Sequence, residues 1–126
     1  MRVLIKNHRF TMPIARGTLR GGGSQFRGQF NPEGFGAACL GSFAQYLPQF
    51  NVPNATITYN DLTDFGGPFT IVLSSPPSYV GQSAVDIKFN SANGTVLRVT
   101  GELETPIENR HTVSGRGLWP LGLRND

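Results

Sequence analysis

Between Ala84 and Glu104 the chain alternates apolar and polar positions. Val85, Ile87 and Phe89 fall on one side, Asp86, Lys88 and Asn90 on the other, and Leu97, Val99 and Leu103 return in the same rhythm. A period of two marks half-buried strands, so this stretch predicts a hairpin. The register decides its loop. A two-residue Asn93-Gly94 turn would set Phe89 against Arg98 and Ile87 against Thr100, mixing the faces. A three-residue loop, Ala92–Gly94 with Gly94 left-handed, sets Phe89 against Leu97 and Ile87 against Val99. The pattern selects the longer loop. It leaves Lys88 facing Arg98, a repulsion that Asp86 relieves diagonally.

Shorter alternations predict further strands at Ala55, Ile57 and Tyr59 and at Phe69, Ile71 and Leu73, the second ended by Pro76-Pro77. Val3 to Phe10 carries a similar pattern that Pro13 interrupts. The stretch from Asn31 reads differently. Asn31-Pro32-Glu33 has the form of a helix start, with an N-cap side chain, a proline in the first turn and an acid near the positive end of the dipole. Phe35, Cys39, Phe43 and Leu47 then recur every fourth residue up to Pro48. The spacing predicts a helix over 31–47, held by packing because Gly34, Gly36 and Gly41 each cost about 1 kcal/mol relative to alanine.

The expected architecture is α+β: a mainly antiparallel sheet or small β-sandwich, one covering helix, and extended N- and C-terminal arms. Residues 1–30 form a basic, glycine-rich arm, 31–113 a compact β-rich domain, and 114–126 an apolar tail. With 16 Gly and 9 Pro in 126 residues, the composition favours short strands and turns over a helical bundle. Charged residues make up only 15%, which fits either a surface shared with neighbours or a Gly- and Asn-rich monomer.

Charge sharpens the picture of the arm. Residues 1–30 carry six cations (Arg2, Lys6, Arg9, Arg16, Arg20 and Arg27) and no carboxylate, whereas 31–126 carry five cations against eight carboxylates. Gly21-Gly22-Gly23 loses much conformational entropy on ordering, so the segment is expected to be disordered without a partner. Arg16-Gly17, Arg20-Gly21 and Arg27-Gly28, near Phe26 and Phe30, match in composition the Arg/Gly/aromatic segments that hold single-stranded nucleic acid. The competing partner is an acidic protein surface, such as the body of a second copy. In the tail, Leu118, Trp119, Leu121 and Leu123 need somewhere to bury themselves, either on their own core or in a neighbour.

Catalytic groupings are sparse, and the reading is of a protein that is not an enzyme. Cys39 is the single cysteine, which excludes an internal disulfide and a cysteine-based zinc site. A Cys39/His111 pair is outweighed by the place of Cys39 on an apolar stripe. Asp61 and Asp64 lack the ligand series of a calcium loop and read as turn residues. Gly21–Ser24 lacks the lysine of a phosphate loop. No cofactor or metal is expected. Asn54 and Asn93 match the glycosylation pattern but read as turn chemistry. The N-terminus does not resemble a signal peptide and no run suits a membrane span, so the expectation is synthesis in the cytoplasm, with no membrane partner.

These features suggest a structural subunit of a large symmetric assembly, of the kind found in small phage or virus virions as capsid decoration, tail or connector. Its partners are copies of itself and another structural protein, reached through Arg2, Lys6, Arg9, Arg16, Arg20, Arg27, Phe26, Phe30, Leu118, Trp119, Leu121 and Leu123. The alternatives are a nucleic-acid-binding module using the Arg/Gly/Phe arm, and a β-sandwich ligand or carbohydrate binder using Tyr59, Tyr79 or Trp119.

Overall fold

A computed structural model describes residues 12–73 and 76–124. Among these residues nine strands follow one another: β1 (Ile14–Phe30), β2 (Gly36–Thr58), β3 (Gly67–Ile71), β4 (Tyr79–Val80), β5 (Ala84–Ser91), β6 (Val96–Glu102), β7 (His111–Thr112), β8 (Gly115–Trp119) and β9 (Leu123–Arg124). Every pairing between them is antiparallel. Five strands close a barrel in the order β2–β8–β3–β5–β6 and back to β2. Closure is possible because β2 is long enough to hold two neighbours on one edge. Leu40–Phe43 pair with β8, and Thr56–Thr58 pair with β6. β1 lies along the other edge of β2 for its whole length.

The α+β expectation is corrected: among the described residues the fold is nearly all β, a barrel rather than a sandwich, with no covering helix. Pro32–Gly34 make one short 3-10 turn, with φ of 51° at Glu33 and 87° at Gly34, and the chain is already extended at Phe35. A spacing of four is close to one helical turn, but it is also two strand periods. Cys39, Phe43 and Leu47, with Ala37 between the turn and Cys39, all face the core from β2. The three glycines that weaken a helix helped decide the contest.

The extended arms are corrected too. Ile14–Phe30 is the inner strand of the long hairpin, and Gly115–Trp119 is inserted between β2 and β3. Phe26, Phe30 and Trp119 are core residues, 4%, 0% and 2% exposed. They belong to an aromatic cluster in which Phe69 stacks on Phe89 at 4.1 Å, Phe26 lies 4.8 Å from Phe43, and Phe65 meets Trp119 edge-on at 5.1 Å. Burying each such ring is worth about 1.5–3 kcal/mol. That gain works against the cost of ordering the glycines around it. Trp119 Nε1 is buried without a hydrogen-bond partner, a smaller penalty set against the same gain.

The hairpin β5–β6 has the expected register: Phe89 pairs with Leu97, Ile87 with Val99 and Lys88 with Arg98. Gly94 has φ of 89°, and Arg98 donates to Asp86 through Nε at 2.9 Å and a terminal nitrogen at 2.6 Å.

Candidate functional site

The most distinctive surface of the molecule comes from the way β1 and β2 bend together. β1 has 17 residues and β2 has 23, and the excess sits in β2 at three irregularities opposite Thr18, Gly22 and Ser24. The longer strand therefore follows the outside of the curve and β1 the inside. At the bend β1 is Gly21-Gly22-Gly23, and Gly23 has φ of 64°. Its two halves then come back together. The Asn31 N–H donates to the Arg16 carbonyl at 3.1 Å, and a Cβ on Gly17 would collide with the Gln29 carbonyl and lie 2.8 Å from Phe30 Cα. Among the described residues the ladder partner of β1 is β2 alone, so its second edge borders the space the bend encloses.

Two adjoining cavities occupy that region, of about 720 and about 490 Å³. Both are lined by Arg20, Arg27, Leu40 and Asn51. The register explains this set. Arg20 is opposite Asn51 in one half of the hairpin and Arg27 is opposite Leu40 in the other. Two cross-strand pairs, one from each half, thus border the same groove.

Its electrostatics are one-sided. Neither β1 nor β2 contains a carboxylate, and β2 contains no charged residue at all. Arg16, Arg20 and Arg27 project from β1 as exposed side chains. Arg116 of β8 lies opposite Ser42, and Arg124 of β9 opposite Gly36, adding two exposed cations to the same part of the sheet. The only ion pair among the described residues is Arg98–Asp86, on the other side of the barrel in β5 and β6. Glu104 is the one carboxylate lining the larger cavity, and it accepts a hydrogen bond from Asn51 Nδ2 at 2.9 Å. The arrangement suits the capture of anionic groups.

Beside the groove lies an apolar ridge. Leu40 and Leu118 are directly opposite each other on β2 and β8, 44% and 45% exposed, and Leu121 nearby is 65% exposed. Tyr46, in the widest irregularity of β2, is 83% exposed.

The residues singled out from the sequence divide clearly. Arg16, Arg20, Arg27, Leu118 and Leu121 are at the surface, and the groove brings Arg20 and Arg27 together. Leu123 is half-buried and packs against the core. Phe26, Phe30 and Trp119 are inside, so among the described residues of the segment no aromatic ring is available to stack on a base. Arg2, Lys6 and Arg9 lie outside the described residues. Tyr59 is also in the core, and burial together with the bond it donates to Glu33 raises its pKa to about 12. Tyr79 is half-buried beneath the Arg110 guanidinium at 4.2 Å.

Cys39 is fully buried, and desolvation raises its pKa to about 12, so it remains a thiol. Asp64 is buried and structural: its carboxylate accepts from the N–H groups of Asn60 and Asp61 and from Asn93 Nδ2. Among the described residues no three His, Cys, Asp or Glu side chains are grouped to hold a metal, and no helix is long and apolar enough to cross a membrane.

Leu40, Asn51 and Tyr46 were not singled out by pattern or charge. The available signal was the absence of charge from the 23 residues of β2, unusual for a strand with exposed positions. In comparisons with protein families, curated proteins and solved structures, nothing matches this chain.

Proposed function

We propose that the protein is a structural subunit of a large symmetric assembly, of the class that phage and virus particles use for capsid decoration, tails or connectors. It works by binding neighbours, copies of itself among them, rather than by catalysis. The observation that carries this reading is the exposed pair Leu40 and Leu118 on adjacent strands, extended by Leu121 and bordered by Arg27 and Arg116. Apolar side chains ringed by arginine have the composition of an interface core and its rim. A sheet face is also a rigid platform, so docking on it orders few additional side chains.

Analytical ultracentrifugation over a wide concentration range tests the proposal. The full chain is expected to self-associate as concentration rises, and Leu40→Asp/Leu118→Asp to remain a monomer with an unchanged circular dichroism spectrum. A wild-type chain that stays monomeric to millimolar concentration, or a double variant that associates as the wild type does, refutes it.

A further inference from the structure

We propose that the groove bordered by Arg20 and Arg27 binds the phosphodiester backbone of single-stranded nucleic acid without sequence preference. The two arginines come from opposite halves of β1, and across the bend at Gly21–Gly23 both line the same open groove. Neither has a carboxylate partner among the described residues. The groove between them is also lined by Gly21, Gly22, Gln25 and Gln49, residue types that offer neutral N–H donors to an anion. Cavities of about 720 and 490 Å³ suit a few nucleotides of one strand and not a duplex.

Guanidinium forks match phosphate and carboxylate oxygens alike, but two features favour phosphodiester over an acidic peptide. The cations are widely spaced, with Arg16 and Arg20 about 13 Å apart along the strand. A polymer charged at every repeat meets such a row in any register, whereas a peptide would need carboxylates at matching intervals. The cationic surface also continues past the groove to Arg116 and Arg124, farther than a single small anion would use. Phe26 and Phe50 line the groove but are themselves buried, so neither offers a face to a base, and contacts to the phosphodiester backbone carry no sequence information.

The groove shares Arg27 and Leu40 with the assembly surface, but Arg20 belongs to the groove alone and can be changed while Arg27, Leu40 and Leu118 are kept. The experiment is fluorescence anisotropy of a labelled oligothymidylate with the full chain across a potassium chloride series. Each lost phosphate contact to a single strand should make the slope of log K against log salt shallower by about 0.7, so Arg20→Gln/Arg27→Gln should shift it by about 1.4. Affinity at low salt should fall at least about tenfold. Glu104→Gln removes the one carboxylate of the groove and should tighten binding about twofold. Arg110→Gln, beside Tyr79, should leave binding unchanged, and thermal melts should show all variants folded. Unmeasurable binding at low salt, or an unchanged slope in the double variant, overturns the proposal. So does displacement of the oligonucleotide by polyglutamate at equal charge, which would make the groove a protein site, or by inorganic phosphate at equal total phosphate, which would make it a site for one small anion.

Discussion

Replacing Gly17 with alanine tests whether β1 closes on itself. The added methyl would fall well inside contact distance of the Gln29 carbonyl oxygen and 2.8 Å from both the Gln29 carbonyl carbon and Phe30 Cα. All three obstacles are backbone, and Gln29 and Phe30 are held by their own ladder with β2. No side chain can rotate out of the way, so the two halves of the strand must separate. Overpacking of this kind costs about 1–3 kcal/mol. The separation also strains or breaks the Asn31 N–H bond to the Arg16 carbonyl, worth about 1 kcal/mol. Against these stands a gain of about 0.4–1 kcal/mol from the stiffer unfolded chain. The net expectation is a loss of about 2–3 kcal/mol. With a slope of about 1–3 kcal/mol per molar in urea, the midpoint should fall by about 0.7–3 M. Gly66→Ala is the control: its nearest neighbour would be the Thr63 carbonyl at 3.9 Å, and its φ needs no glycine. If Gly17→Ala unfolds at the wild-type midpoint, the two halves do not meet as described and the groove between them is not closed.

Alkaline conditions should destabilise the fold through Cys39. Its folded pKa is raised from 9.0 to about 12 by burial, so between these values the unfolded chain releases a proton that the folded chain keeps. Stability is therefore complete below about pH 9 and falls as pH rises, by about 1.4 kcal/mol at pH 10. Tyr59 acts in the same direction between 10.0 and about 12. Urea melts of wild type and Cys39→Ala at about pH 8 and about pH 10 should show the smaller decline in the variant, and equal declines would exclude Cys39 as a source. Asp64→Ala should cost about 2–3 kcal/mol by leaving donors of the 61–64 turn unsatisfied. Because Asp64 also accepts from Asn93 at 2.9 Å, a double-mutant cycle with Asn93→Ala should show coupling of about 1 kcal/mol, and simple additivity would mean the two loops do not support each other.

The β5–β6 hairpin was legible down to its register, because one face is apolar at every second position and only one loop length keeps that face together. The first half of the chain was not, and the cause is physical. Gly17, Gly28 and Gly41 occupy positions where the alternation calls for an inward side chain. Each is glycine because something else already fills the space: the Gln29 backbone, Cys39 with Phe30 and Leu19, and the Phe26 ring. Close packing thus reads as flexibility when only the sequence is in view. The same misreading turned β1 into a disordered arm and separated Phe26 and Phe30 from the core to which they belong. Arg20 and Arg27 stood out as charges, but their convergence depends on the unequal lengths of β1 and β2, and a local pattern carries no record of that pairing.

The insertion of β8 between β2 and β3 has a consequence for synthesis. Leu40 must wait for Leu118, and Phe69 for Gly117, before the ring of strands is complete. Pairings so distant along the chain form slowly. Until residue 119 has been made, one edge each of β2 and β3 is left open, as is the apolar interior behind them, and such edges invite pairing with other chains. The nascent polypeptide is thus most vulnerable just before β8 emerges, and chaperone dependence should be relieved by Gly115–Trp119 rather than built up gradually along the length.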